Sequence, residues 1–169
     1  MRGQVIGKGM PHGYAGSYSR QPDMVVDTHP LTGKDPVSFG GIVVLGENGA
    51  AVSWGANSTA DKFLGIAVRE VKSATDFFNQ NEGSYRPGEA IPVIKRGCVN
   101  VICQNGVPVS GGKVYVRVKV NEEKPKAVIG GFEASADADN SVELTNAQWK
   151  GTTDSNGVAE LRILTILNA

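Results

Sequence analysis

The sequence predicts an all-β protein: a compact antiparallel β-barrel or sandwich of about nine to eleven short strands, with little or no helix. The 22 glycines and 8 prolines are spread along the chain, and this glycine content exceeds average usage, which favours turns over helices. Turn residues recur at intervals of roughly 8 to 15 positions, and the segments between them are short apolar runs or alternate in polarity. A chain of 169 residues suffices for one such domain with a substantial core.

The first 22 residues predict an extended arm, and residues 23–169 predict a single β domain. The arm is rich in glycine and has no helical or strand period, so it has no core of its own. Fully extended it spans roughly 70 Å, against a radius of gyration of ~15 Å for a globule of this size. It is therefore long enough to lie on a neighbouring subunit, with Tyr14, Tyr18 and Arg20 as the expected contact residues. The alternative is a disordered tail.

Four apolar segments in the first half of the chain predict strands, and a long irregular connection is expected after them. They are, in order, a short strand at residues 24–28 followed by a loop at 29–36; a strand at 37–45 that Gly40-Gly41 interrupts by a bulge or close backbone approach; a strand at 51–54; and a strand at 63–70, in which Leu64, Ile66 and Val68 share one face, before the connection at 71–84.

The densest turn-and-strand signal lies in residues 85–120. Pro87-Gly88 predicts a turn, and Gly97 is expected to break the apolar run that follows it. Strict alternation over residues 113–120 predicts a strand with one buried face and one that is solvated or covered by a partner. The buried face holds Val114, Val116, Val118 and Val120, and the opposite, candidate partner-facing side holds Lys113, Tyr115, Arg117 and Lys119.

The last clear element is a β-hairpin. Residues 154–157, Asp-Ser-Asn-Gly, form a strong tight-turn signal between segments 148–152 and 158–163. Leu161, Ile163 and Leu167 are expected to face the core.

Composition argues against several classes of partner. The 17 basic and 17 acidic side chains cancel, whereas a nucleic-acid-binding protein normally neutralises phosphates with excess positive charge. No apolar run reaches the ~18 residues of a membrane span, and the N-terminus resembles no secretion signal. Cys98 and Cys103 would lie roughly 17 Å apart on one extended strand, so two free thiols are expected.

The sequence also predicts no catalytic, metal or cofactor site. The two histidines, His12 and His29, stand apart from any cysteine or carboxylate at ligand spacing. Neither a nucleophile elbow nor a phosphate-binding loop is present. A non-enzymatic role is therefore expected.

The central stretch Tyr85-x-Pro87-Gly88-Glu89-x-Ile91-x-Val93-Ile94-Lys95-Arg96-Gly97-x-Val99-x-Val101 resembles the head decoration, or structural cement, proteins of tailed bacteriophages. Further segments agree with that family in the same order, so the resemblance covers nearly the whole chain. They are residues 13–23, 37–44, 63–69, 109–116, 131–136 and 156–161. The polar residues 119–126 have no counterpart in the family pattern.

The resemblance implies a virion protein that is made in the cytoplasm of a bacterial host, binds the outer capsid surface and cements neighbouring capsomers. The implied partners are the major capsid protein and further copies of the chain, with a trimer favoured. One alternative is another phage component, such as a head fibre, tail or baseplate protein. Another is a carbohydrate-binding or adhesin module, which would need exposed aromatic side chains; the candidates are Trp54, Tyr85, Tyr115 and Trp149.

Overall fold

A computed structural model describes residues 11–70 and 82–168 of the chain, and strands dominate them. In this part of the chain, helical structure is limited to single 3-10 turns at Glu47–Gly49, Ala60–Lys62 and Ala138–Asn140. Eleven strands are present among these residues, so the all-β prediction is confirmed. They are β1 (Tyr18–Thr32), β2 (Val37–Ser38), β3 (Ile42–Leu45), β4 (Ala51–Ser53), β5 (Phe63–Ala67), β6 (Ser84–Tyr85), β7 (Ala90–Asn105), β8 (Lys113–Arg117), β9 (Phe132–Glu133), β10 (Ser141–Trp149) and β11 (Val158–Ile163).

Strand β7 organises the main sheet, because it pairs with β1, β5, β9 and β11. The strands of this sheet follow the order β1-β4-β3-β5-β7-β11-β10-β8-β9. Both ends of the sheet return to β7, through the additional pairings β1–β7 and β7–β9. We call β1-β4-β3-β5-β7 the first circuit and β7-β11-β10-β8-β9 the second circuit. Most pairs are antiparallel as predicted, but β1–β4 and β7–β9 are parallel, so the sheet is mixed. Strands β2 and β6 form a separate small sheet.

The predicted break at Gly97 is wrong, because β7 runs through this glycine for 16 residues. Gly97 keeps its pairing with Ile163 of β11. The irregularity lies in the partner strand instead: the β1–β7 register jumps between the pairs Arg20–Cys98 and Val25–Arg96. Gly97 has φ +119°, so its backbone bends where β1 bulges across it.

Strand β1 is also longer than predicted. It starts at Tyr18, inside the predicted arm, and continues through the predicted loop to Thr32, with His29 opposite Ile91 on β7. Pairing with β7 over most of its length accounts for this extension, although its residues are largely polar. The boundary expected at residue 22 therefore falls within a strand.

Both faces of β3 and β5 are buried, and Leu64 and Ile66, which were predicted to share one face, pack in different apolar clusters. Val43 and Leu64 belong to one apolar cluster, whereas Val44 and Ile66 belong to the other. The larger cluster extends into the second circuit, where Trp149 is fully buried. Strand β5 lies between the two clusters and is therefore wholly buried. A strand in this position needs apolar residues on both of its faces.

The remaining predictions concern the last hairpin and the cysteines. Strands β10 and β11 pair antiparallel around the predicted turn, and Leu161 and Ile163 are buried as expected. Leu167 is exposed, contrary to the prediction, because it lies beyond the end of β11. Cys98 and Cys103 are both free, which confirms the expectation. The connection predicted at 71–84 falls mostly outside the described residues.

Candidate interaction surfaces

The described part of the predicted arm before β1, residues 11–17, lies against its own subunit. The backbone N–H of His12 donates to Asp154 Oδ2 at 2.9 Å, and its Nε2 lies 3.1 Å from the carbonyl oxygen of Thr152. Both partners belong to the β10–β11 turn. Farther along, the N–H of Gly16 donates to a β7 carbonyl oxygen at 2.7 Å. These contacts fix the path by which the chain enters β1.

Two of the three predicted contact residues, Tyr14 and Tyr18, sit in different environments. Tyr14 is 70% exposed, and the guanidinium of Arg69 lies 4.6 Å from its ring centroid. Tyr18 packs against the larger core, and its hydroxyl donates to the carboxylate of Glu70. Burial and this acidic neighbour raise the pKa of Tyr18 above its ordinary range. Tyr14 thus offers a partner far more aromatic surface than Tyr18 does.

Arg20, the third predicted contact residue, forms an ion pair with a residue of its own chain. Its Nε and Nη2 donate to the two carboxylate oxygens of Glu160 at 2.6 and 3.1 Å. Burial disfavours the charged form of Glu160, but hydrogen bonds from Arg20 and from the Cys98 thiol outweigh it and lower the pKa of Glu160. Arg20 therefore ties the start of β1 to β11. Its role in contact between subunits stays a prediction, as do those of Tyr14 and Tyr18.

The basic face predicted on residues 113–119 is exposed only in part. Lys113 and Lys119 are exposed and Tyr115 is half-buried, but Arg117 is fully buried. The inclusion of Arg117 in a solvent- or partner-facing side is therefore wrong. Its neighbourhood is covered, because β8 pairs with β9 next to it and the loop before β10 folds over it. The exposed lysines and Tyr115 remain candidates for partner contact.

Arg117 is the centre of a charge network that holds this loop. Its Nε donates to Glu133 Oε1 at 2.5 Å, and its Nη2 donates to Asp137 Oδ2 at 2.7 Å. Asp137 also accepts from Asn121 Nδ2 at 3.1 Å and lies 3.3 Å from Lys124 Nζ. Hydrogen bonds from Asn121 and Arg117 lower the pKa of Asp137 from 3.8 to about 2. The polar residues 119–126 thus supply Asn121 and Lys124 to a structural clamp around Asp137.

Acid is expected to weaken this clamp. A carboxyl group whose pKa is lower in the folded state contributes stability above its unfolded pKa, and that contribution disappears as the pH falls through the folded pKa. The free energy of unfolding should therefore fall between about pH 4 and about pH 2. Urea denaturation across this range measures the slope, and Asp137→Asn should flatten it.

The matched control is Asp139→Asn, in the same 3-10 turn. Within the described residues, the Asp139 side chain makes neither a hydrogen bond nor an ion pair. This variant should keep the acid slope of the natural chain. Equal slopes for Asp137→Asn and the natural chain would refute a stabilising role for the Asp137 carboxylate.

An apolar groove lies between the first circuit and the loop before β9. Its deeper part is a cleft of about 320 Å³ whose lining includes Phe39, Trp54, Ile102 and Val128. It continues past Phe39 and Ile102 into a second cleft of about 470 Å³ that Tyr14 helps to line. Ile102 and Val128 are 54% and 62% exposed, so the groove presents aliphatic surface to solvent. Among the described residues, none that lines the deeper cleft is charged, and Arg69 lines the second cleft.

Glycines allow close packing on two sides of the groove. A Cβ on Gly40, which has φ +76°, would lie 2.7 Å from the backbone nitrogen of Gly16. On the other wall, a Cβ on Gly131 would lie 2.1 Å from the side chain of Gln104. The close approach predicted at Gly40-Gly41 is confirmed, and the pair Gly130-Gly131 is the matching signal that sequence reasoning missed.

A second apolar surface follows β11. Leu164, Ile166 and Leu167 are exposed, although the segment is fastened at both ends. The N–H of Leu164 donates to the carbonyl oxygen of Asn146 at 2.8 Å, and Asn168 Nδ2 donates to the carbonyl oxygens of Asp61 and Phe63 at 2.8 and 2.9 Å. A fixed apolar strip on the surface is typical of a contact region.

The aromatic residues required by the carbohydrate-binding alternative do not form an exposed surface on which a sugar ring could stack. Trp54, Tyr85 and Trp149 are buried, and Tyr115 is half-buried. Tyr85 and Trp54 use their polar atoms internally, on the carbonyl oxygens of Val68 and Arg117. Among the described residues, no three or more His, Cys, Asp or Glu side chains are grouped to hold a metal ion. No helix in the same residues has the length and hydropathy to cross a membrane.

Comparison with known proteins decides the family. The family model described as structural cement protein (E217 gp24/Pam3 gp6) matches residues 2–164. The chain belongs to the phage structural cement protein family. One solved structure, a chain from the capsid of Myoviridae phage XM1, is 17% identical and superposes with a TM-score of 0.70 over 96% of each chain. At this identity the likeness shows a shared fold. None of the curated proteins searched matches.

Membership of the cement protein family confirms the resemblance inferred from the central stretch and gives the chain a structural role in the virion. The match begins at residue 2, so it includes the predicted arm as well as both circuits. Sequence reasoning proposed contact residues in the arm and on residues 113–119, and these stay predictions. It missed the groove and the strip after β11, because each is made of residues that are ordinary in sequence and become neighbours or exposed only through folding.

Proposed function

We propose that the protein binds the outer surface of the phage head, with the major capsid protein as its partner, and cements neighbouring capsomers. The observation that carries this proposal is the family match over residues 2–164. A member of the XM1 capsid shares the fold over nearly the full length of both chains, which supports a position on the head.

The surface of the chain has the properties that such a role requires. Tyr14, the groove and the strip after β11 expose apolar side chains that a soluble monomer would leave in water. A standard protein interface buries about 1,600 Å² in total, and many copies on one shell multiply a modest contact through avidity. A net charge of zero fits adhesion through such patches. We further propose self-association, with a trimer favoured.

Addition of the purified chain to heads that lack it tests this function. We expect saturable binding in co-sedimentation, and we expect bound heads to release their DNA at a temperature several degrees higher than bare heads. Cryo-electron microscopy of the particle would place the protein on the outer shell. Density on the tail or baseplate, or an absence of binding to heads, would overturn the proposal.

Removal of residues 1–10 should weaken head binding at least tenfold, while the free chain stays folded, with the circular dichroism spectrum of the natural chain. A deletion of all 22 arm residues would also remove the start of β1 and the Arg20–Glu160 ion pair, so the shorter deletion is the cleaner test. The control replaces residues 1–10 with a glycine-serine segment of equal length, which should bind as weakly as the deletion. Full binding by both variants would show that these residues make no contact.

A further inference from the structure

We infer that the groove binds residues 1–10 of a second copy of this chain, so that each subunit holds the N-terminus of a neighbour. This inference deepens the proposed function, on which it rests, by naming the surface that the arm reaches. Three properties of the chain carry it: the chemistry of the groove, the chemistry of the N-terminal residues, and the path of residues 12–15.

The groove suits a slender apolar segment. The described residues that line the deeper cleft are all uncharged, and Phe39 and Trp54 are among them. Ile102 and Val128 stand on its walls with more than half of their surface exposed. Contiguous apolar surface of this kind on a soluble protein is characteristic of a binding groove. The two clefts share Phe39 and Ile102 and so form one continuous groove, which suits an extended segment.

Residues 1–10 have the matching composition. Val5 and Ile6 form an aliphatic pair, and Met10 adds a third apolar side chain. Gly3, Gly7 and Gly9 separate them and permit close approach of the backbone to a wall. The two charged residues of the segment have long aliphatic stems, which allow their charges to stay in solvent at the rim. Ten extended residues reach roughly 33 Å, which is enough to leave one subunit and enter another.

The path of the chain favours a second copy over the same chain. Ala15 lies where the two clefts join, and Gly13 and Tyr14 line the second cleft. His12 is then fastened to the β10–β11 turn through Thr152 and Asp154. Traced towards its N-terminus, the chain thus moves away from the deeper cleft. Residues 1–10 of the same chain would have to reverse direction over their own arm, whereas those of a neighbour have no such constraint.

Photo-crosslinking of the full chain tests the inference. A benzophenone amino acid replaces Val128 on the wall of the deeper cleft, and chains labelled with ¹⁵N are mixed with unlabelled chains. The mixture is irradiated in solution and on coated heads. We expect mass spectrometry to find crosslinks from position 128 to residues 1–10 that join labelled to unlabelled chains. Crosslinks only within one isotope population, or to any other segment, or none to residues 1–10, would overturn the inference.

Point variants supply the matched controls. Ile6→Asp in the segment and Ile102→Lys in the groove should each lower the yield of mixed crosslinks at least fivefold. Val107→Lys, at a position 72% exposed outside both clefts, should leave the yield unchanged. Circular dichroism and melting temperature confirm that each variant is folded. Equal yields for Ile6→Asp and Val107→Lys would contradict pairing between the segment and the groove.

The two proposals fail in different ways. If the chain does not bind heads but mixed crosslinks form in solution, the proposed function is wrong and the groove inference stands. If heads are bound and stabilised while position 128 never reaches residues 1–10, the groove inference is wrong and the proposed function stands.

Discussion

Replacement of Arg117 by methionine should lower the free energy of unfolding by about 3–5 kcal/mol, because it leaves a buried carboxylate without its counter-ion. Arg117 and Glu133 are both fully buried and lie 2.5 Å apart. Glu133 keeps only the weaker hydrogen bonds from Gln104 and Asn105 when the guanidinium is removed. Asp137 loses its contact with Arg117 at the same time, so the loop over β8 should open first.

Urea denaturation followed by tryptophan fluorescence measures this loss, and two further variants define its cause. Lys113→Met, on the same strand as Arg117, breaks an exposed ion pair with Glu143 of β10 and should cost less than about 1 kcal/mol. The double variant Arg117→Met with Glu133→Leu removes both buried charges and should recover much of the loss. If Arg117→Met costs no more than Lys113→Met, the network does not stabilise the fold.

Much of the fold follows from local patterns in the sequence. The turn at residues 154–157 and the alternation over 113–120 are short-range signals. The hairpin is found where the turn predicts it, whereas β8 ends at Arg117 and Val120, predicted to be buried, is exposed. The stretch around residues 85–120 was predicted as the densest strand signal, and it contains β7, on which both circuits close. Strand β7 is buried over most of its length, and the apolar residues that this requires, such as Ile91, Val93 and Val99, are visible in the sequence.

The wrong predictions concern residues whose environment is set by contacts with elements that are distant in sequence. Gly97 and the polar residues of β1 both indicate a break, yet both lie within long strands, because pairing between β1 and β7 outweighs local preference. Arg117 alternates like a solvent-facing residue, but β9 and its loop cover it. The groove depends on Ile102 of β7 and Val128 of the loop before β9 lining one cleft, and no periodicity in the sequence encodes that arrangement.

Replacement of Gly97 by alanine should lower the free energy of unfolding by about 3 kcal/mol or more, through two separate effects. The first is backbone strain, because φ is +119° at this residue, a region that L-residues rarely adopt. The second is steric: a Cβ would lie 2.6 Å from the carbonyl oxygen of Asp23 and 2.9 Å from Cβ of Met24. These atoms belong to β1, so relief of the clash would separate β1 from β7 in the middle of their antiparallel pairing.

Gly88→Ala separates the two effects. Gly88 has φ +92°, but a Cβ there would have no atom within 4 Å, so this variant carries strain without a clash and should cost about 1–2 kcal/mol. Denaturation of both variants gives the steric part as their difference, and hydrogen exchange should show lost protection on β1 and β7 only for Gly97→Ala. Equal losses of unfolding free energy for Gly97→Ala and Gly88→Ala would mean that β1 shifts to accommodate the extra methyl group. The β1–β7 pairing that closes the first circuit would then be looser than its register implies.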